Sequence, residues 1–177
     1  MRVIAGELGG RRLQSARGAQ TRPTAARVRE ALFSMLGALE GARVLDLFAG
    51  SGALGIEAIS RGAARATFVE RAPAALAALA ANIAALELGE RAEIRATDAL
   101  AALRGRGQYD LVFIDPPYAE AAELGGALSR ELPAVLAAGA RVVSESDRRA
   151  PLELELPLIR ERRYGDTMIR IHETSEP

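Results

Sequence analysis

The sequence predicts an α/β protein: a doubly wound, mostly parallel sheet preceded by a short N-terminal hairpin-plus-helix appendage. Three observations carry that expectation. From Ala42 onward, short apolar runs alternate with helical patterns, as successive strand-helix-strand units require. The first run, Val44 to Phe48, passes directly into the glycine turn Ala49-Gly50-Ser51-Gly52-Ala53-Leu54-Gly55 and then into a helix. A later run, Leu111-Val112-Phe113-Ile114, is continuously apolar, as a strand covered on both faces must be.

The elements follow in chain order. Residues 2–13 read as a hairpin with Gly9-Gly10 at or near its turn, and residues 14–21 as a loop. Arg22-Pro23-Thr24 opens a helix that Thr24 can cap, with Val28, Leu32, Met35, Leu36 and Leu39 on one face. That apolar face leans the appendage, residues 1–41, on the main domain, residues 42–177. After the central strand and its helix, Ala66 to Val69 is a strand ending at Glu70. Pro73 starts a helix with the seam Leu76, Leu79, Ile83, Leu86. Ala92 to Thr97 is a third strand ending at Asp98, and Tyr109 to Ile114 a fourth. Residues 120–137 are helical but interrupted by Gly125-Gly126 and Pro133; Arg141 to Glu145 is a fifth strand. Leu158 to Tyr164, a Gly165-Asp166 turn and Thr167 to His172 form an antiparallel hairpin that closes the sheet edge.

Composition removes several chemistries. A chain of 177 residues with 49% apolar content supports one core. No apolar run approaches the roughly 20 residues of a membrane span, and no leader pattern opens the chain, so a cytoplasmic protein is expected. Cysteine is absent, which excludes disulfides, thiolate metal sites and a Cys nucleophile. With His172 as the single histidine, neither a His-based metal site nor a Ser-His-Asp triad is expected, and no metal is. Net charge is zero, yet residues 1–29 hold Arg2, Arg11, Arg12, Arg17, Arg22, Arg27 and Arg29 against one acid, Glu7. Such a surface suits phosphates, although a solvated arm without a partner would look the same. All 23 basic residues are Arg, in an Ala- and Gly-rich chain, so the choice of Arg over Lys reflects composition.

In an open parallel sheet, ligands sit beyond the carboxyl ends of the strands. Asp46, Glu70, Asp98 and Asp115 all lie at or near that edge. One such acid is ordinary helix-cap chemistry; four in successive units, beside a glycine turn, make a binding rim. Gly50-x-Gly52-x-x-Gly55 matches a dinucleotide fingerprint, with Glu70 placed to accept from two ribose hydroxyls and Asp98 from an adenine amine. Asp46 is electrostatically wrong beside a pyrophosphate and suits a cofactor bearing an ammonium or sulfonium cation. Asp115-Pro116-Pro117-Tyr118 is the sharpest motif. Two prolines fix a rigid turn that can aim an acid and main-chain carbonyls at an exocyclic amine, while Tyr118 can stack on a flat base. Such an amine is a poor nucleophile; acceptors on its N–H bonds stabilise the charge that develops on nitrogen during methyl transfer. The bland alternative is a Pro-Pro turn ending a strand.

Asp46-Leu-Phe-Ala-Gly-Ser-Gly and Asp115-Pro-Pro-Tyr resemble the nucleotide-binding and catalytic motifs of class I S-adenosylmethionine-dependent methyltransferases acting on exocyclic amines. Arg2-Val-Ile-Ala-Gly, Arg22-Pro-Thr-Ala-Ala-Arg-Val-Arg-Glu-Ala-Leu-Phe, Gly52-Ala-Leu-Gly-Ile-Glu-Ala-Ile-Ser-Arg-Gly and Ser144-Glu145 extend the likeness to the RsmD family, bacterial enzymes that methylate N2 of a guanine in 16S rRNA. The resemblance implies a seven-stranded Rossmann-like class I sheet with its last strand antiparallel, S-adenosylmethionine as methyl donor, and the small ribosomal subunit or its assembly intermediate as partner. It implies that Asp46, Ala49, Gly50 and Gly52 hold the methionine end, Glu70 the ribose and Asp98 the adenine. Asp115, Pro116, Pro117 and Tyr118 would present a flipped guanine, with Tyr118 standing where this family often has Phe. Thr24 and Arg22 would close over cofactor or RNA, and Arg2, Arg11 and Arg12 would contact RNA. A monomer is expected.

Two other classes remain open. Another amine acceptor, such as adenine N6 or a protein glutamine, fits the same motifs, although those enzymes more often carry Asn at the position of Asp115 and a separate recognition domain. A nicotinamide-dependent oxidoreductase or a non-catalytic RNA-binding module would leave the Asp-Pro-Pro-Tyr motif unexplained.

Overall fold

The computed structural model describes residues 1–15, 24–105 and 107–175; of residues 24, 25, 118–120 and 122 it describes the backbone alone. The strands are β1 (Arg43–Leu47), β2 (Arg65–Glu70), β3 (Ala92–Ala96), β4 (Tyr109–Ile114), β5 (Leu136–Asp147), β6 (Leu158–Tyr164) and β7 (Thr167–Glu173). The helices are α1 (Thr24–Leu36), α2 (Ala53–Ser60), α3 (Pro73–Ala85), α4 (Ala99–Leu103) and α5 (Tyr118–Glu131). One seven-stranded sheet has the order β3-β2-β1-β4-β5-β7-β6. β1 pairs in parallel with both β2 and β4, and β7 runs antiparallel to both β5 and β6. The connections leave β1 in opposite directions, so a crevice opens at the carboxyl ends of β1 and β4.

The continuously apolar strands feed two cores by simple alternation. Val44, Leu111, Phe113 and Val143 join one cluster, together with α2, α3 and the N-terminal residues Val3, Leu13, Val28, Leu32 and Phe33. Leu45, Leu47, Val112, Ile114 and Val142 join the other, beneath α4 and α5. Successive side chains of a strand point to opposite faces, so an unbroken apolar run is what two covered faces demand.

The N-terminal hairpin forms as the sequence predicts, while several later elements depart from expectation. Residues 2–13 form an antiparallel hairpin around a turn over residues 5–10: Arg2 bridges to Arg12, Val3 N donates to Arg11 O (3.0 Å), Gly10 N to Val3 O (2.9 Å) and Leu13 N to Met1 O (2.9 Å). Other backbone groups of the hairpin bond to α2: Glu7 N donates to Ser60 O (2.8 Å), Leu8 N to Ser60 Oγ (3.0 Å), and Ile4 N and Ala5 N to the Glu57 carboxylate (2.7 and 3.1 Å). Docking on α2 satisfies the groups that the hairpin's own bonds leave over. α5 runs through Gly125-Gly126 without a break. Gly125 is there because a Cβ would collide with the carbonyl of Glu153, and Ser129 Oγ, bonded to Gly125 O, accepts from Glu155 N at 2.9 Å. β5 begins five residues before Arg141, with Gly139 at φ 65° and a register shift opposite Tyr109 and Leu111. α4 was not expected; Asp98 caps it by accepting from Leu100 N at 2.9 Å. The tail hairpin forms over the expected residues, Gly165 taking φ 63° in its turn, and β7 lies inside β6.

Candidate active site

The turn after β1 is built from residues that tolerate its backbone. Phe48, Gly50 and Gly52 have φ of 63°, 57° and 86°. For Phe48 this left-handed geometry is uncommon and carries strain. Gly50 has open space where a Cβ would stand, whereas a Cβ on Gly52 would lie 2.5 Å from Leu79 Cδ1. Gly55, already helical, has no room for a side chain because the Phe68 ring of β2 lies against it. The three glycines therefore do different work: Gly50 allows the turn, Gly52 the turn and the packing beneath it, and Gly55 the close approach of α2 to the sheet. Asn82, buried on α3, steadies the loop by donating to Ser51 O (2.9 Å) and Gln14 O (3.0 Å).

The acids surround this turn. Glu70 accepts from Gly50 N with one carboxylate oxygen and from Arg71 N and Ala72 N with the other, each at 2.8 Å. It thus fixes the glycine loop while keeping lone pairs for a ligand. Asp98 has one oxygen on its helix cap and the other 3.5 Å from Arg71. Asp46 is 1% exposed and accepts from Gly55 N at 2.9 Å, beneath the loop. Burial, partly offset by that hydrogen bond and reinforced by the charge of Glu70, pushes its carboxyl up to about 7. Asp115 is exposed and lines the cavity described below; desolvation by the protein around it, then the charges of Glu145 and Asp46, raise it well above the usual carboxylate range.

Asp46 gives a stability prediction. Its unfolded carboxyl ionises near 4 and its folded one near 7, so the folded state binds more protons between those values and stability falls as pH rises through them. Asp46→Asn, which keeps an acceptor for Gly55 N, is expected to raise the thermal midpoint over the wild type by about 5 °C at pH 8 and by little at pH 4. Scanning calorimetry at both pH values checks this; an equal difference at both would contradict it.

A cavity of about 1150 Å³ opens at the sheet's carboxyl edge. Ala49, Gly50, Glu70 and Asp98 line one part, and Asp115, Pro116, Pro117 and Glu145 another; Met1, Arg2, Ile4 and Arg29 of the N-terminal segment form a further wall. The volume exceeds the ~300–1,000 Å³ of a typical small-molecule site, leaving room for a nucleoside cofactor and a second planar group. Of the residues singled out in the sequence, Asp46 and Gly52 support the loop from below without lining the cavity. Arg11 donates to Ala85 O at 3.0 Å at the end of α3, and Arg12 is exposed. Arg22 and the side chains of Thr24 and Tyr118 lie outside the described residues.

Three features escaped the sequence reading. Glu145, read in the sequence as a strand end but not as a site residue, lies two residues inside the end of β5 and lines the cavity with Asp115. Arg29, counted there among surface charges, is 5% exposed and sits 3.9 Å from Glu57, its guanidinium also donating to Arg2 O. Glu57 is fully buried, held by Arg61 Nε at 2.7 Å and by the amides of residues 4 and 5. It ties the N-terminal wall to α2 directly behind the glycine turn.

The chain matches the family described as conserved hypothetical protein 95 over residues 1–173. It is 38% identical over 184 residues to YlbH of Bacillus subtilis (strain 168), named as a candidate rRNA methyltransferase; the alignment takes in 97% of this chain and 98% of that one. It is 42% identical over 120 residues to ribosomal RNA small subunit methyltransferase D of Escherichia coli (strain K12), covering 67% of this chain and 60%, less than two thirds, of that protein. A solved structure from Escherichia coli, a candidate methyltransferase named yhhF, superposes with a TM-score of 0.85 at 35% identity, covering 100% of this chain and 99% of that one.

Proposed function

The chain belongs to the conserved hypothetical protein 95 family, the RsmD family of the sequence resemblance, and we propose that it transfers a methyl group from S-adenosylmethionine to the exocyclic N2 amine of a guanine in 16S rRNA. One observation carries the reading: a single cavity has the glycine loop and Glu70 in one part and Asp115-Pro116-Pro117 in the other. A nucleoside cofactor in the first part and a base in the second would meet at the end of β4. This transferase acts as a monomer in the cytoplasm, on the small ribosomal subunit or its assembly intermediate, in rRNA processing.

S-adenosylmethionine supplies an electrophilic methyl on a sulfonium. Glu70 accepts from the ribose hydroxyls with the lone pairs its amide donors leave, and Asp98 accepts from the adenine amine. Ala49 and Gly50 bring backbone to the methionine end, while Asp46 contributes negative charge from beneath the loop, opposite a sulfonium and an ammonium. Gly52 allows the turn, and Thr24 closes over the cofactor from the start of α1. Asp115 and the carbonyls of the Pro116-Pro117 turn accept from the target amine, and Tyr118 stacks on the flipped base. S-adenosylmethionine bound here would supply the methyl and leave as the neutral thioether, and the Asp115 carboxylate would take the proton that the amine gives up as it gains positive charge. Desolvation and the neighbouring acids make that carboxylate a better proton acceptor than an ordinary one. Arg2, Arg11, Arg12 and Arg22 contact the RNA backbone.

The first test offers labelled S-adenosylmethionine with unmodified small subunits, naked rRNA and duplex DNA in parallel. Transfer to subunits above the other two is expected; transfer to DNA alone would favour an adenine methyltransferase. For the RNA surface, Arg11→Ala with Arg12→Ala is expected to weaken RNA binding and flatten the plot of log affinity against log salt by about 2. An unchanged slope in a filter-binding titration would remove these residues from the interface.

A further inference from the structure

We propose that Glu145 is a specificity-determining residue that reads the N1–H of the target guanine beside Asp115, an inference that rests on the function proposed above. β4 and β5 are parallel with Ile114 opposite Ser144, so the next residue on each chain, Asp115 and Glu145, stand side by side at the same carboxyl edge. Neighbouring strands are about 4.8 Å apart. Both residues line the one cavity, with Pro116 and Pro117 beside them. Glu145 is half-buried and its charge acts on Asp115, which agrees with two carboxyl groups turned to one small volume.

The chemistry of the bases decides what such a pair recognises. Guanine presents N1–H and N2–H next to each other, two donors pointing the same way. Adenine presents N6–H beside the N1 lone pair, and cytosine N4–H beside the N3 lone pair. A carboxylate facing that lone pair is repelled, while one facing guanine N1–H gains a charge-assisted hydrogen bond. Asp115 on N2–H and Glu145 on N1–H therefore select guanine without any contact to O6. The same contact helps the reaction: withdrawal of the N1 proton toward Glu145 pushes electron density through C2 onto N2, the attacking nitrogen. A protein glutamine amide has no second donor at that spacing and so gains no bond to Glu145.

The experiment first maps the guanine that the wild-type chain methylates in unmodified small subunits. Subunits are then reconstituted with 1-methylguanine or 2-aminopurine at that position. Each keeps the N2 amine; the first blocks N1–H and the second replaces it with a lone pair. The wild type is expected to lose about 10–100-fold in kcat/KM on both, the range for one well-made base contact. Glu145→Gln, whose amide can donate to the lone pair, is expected to lose a similar factor on guanine and to gain on 2-aminopurine, with its S-adenosylmethionine affinity by calorimetry unchanged. Equal wild-type rates on guanine and 1-methylguanine would overturn the assignment even where the variant failed to fold. So would a Glu145→Gln loss of the same factor on guanine and 2-aminopurine. Methyl found on no guanine at all would instead overturn the function on which the inference rests, and the inference with it.

Discussion

Asp115→Ala is expected to lower kcat by about 10³-fold or more while leaving the thermal midpoint and S-adenosylmethionine affinity near wild type. The side chain opens into the cavity, so removing it leaves no void in either core. What is lost is an acceptor for the amine N–H bonds and for the proton released, contributions that typically amount to 10²–10⁴-fold. The pH profile adds a sign. Activity requires the ionised carboxylate, and the neighbours that raise Asp115 displace its titration upward from the ordinary carboxylate range. The wild-type rate should therefore rise with pH through an apparent pKa well above that range, and Asp115→Asn should lack that limb. A variant active at wild-type rate, or an unshifted acid limb near pH 4, would remove Asp115 from the chemistry.

Glu70→Ala is expected to weaken S-adenosylmethionine binding by about 100-fold or more, read by calorimetry. Two hydrogen bonds from ribose hydroxyls to a charged acceptor are lost, at roughly 1.5–3 kcal/mol each. The amides of Gly50, Arg71 and Ala72 also lose their acceptor, so the loop no longer holds its shape before ligand arrives. Because the loop's own anchor goes too, the thermal midpoint should fall by a few degrees. Glu70→Gln separates the two roles: it retains an acceptor for some of the amides but not the charge, so stability should recover more than affinity. Unchanged affinity in Glu70→Ala would place the ribose elsewhere.

How much of this was legible in the sequence differs between elements for physical reasons. β1, β4 and the β6-β7 hairpin could be read because their signals are local: an apolar run covered on two faces, a glycine turn, a two-residue turn with Gly165. α4 has five residues, too short for a helical period to show, and is set by the cap at Asp98. Gly125-Gly126 reads as a helix break in isolation; only the strand-leading segment pressed against it explains a glycine inside α5. The left-handed Phe48 gives no local sign, since nothing in a phenylalanine announces a positive φ.

The site divides in the same way. Glu70, Asp98 and Asp115 were found by their place at strand ends, and the cavity joins all three. Asp46 was placed on the ligand by the same rule, but a residue one position inside the strand points beneath the loop, where it bonds Gly55 N. Glu57 was invisible because its partners are backbone amides more than 50 residues away. Arg29 was misjudged because a count of charges does not say which one is buried with it.

The most direct test of the account is the identity of the methylated nucleoside. After transfer from labelled S-adenosylmethionine to unmodified small subunits, the RNA is digested and the labelled product identified by mass spectrometry. The account predicts N2-methylguanosine, formed by the wild type and absent with Asp115→Ala. Label in N6-methyladenosine, or in no nucleoside despite cofactor binding, would contradict it.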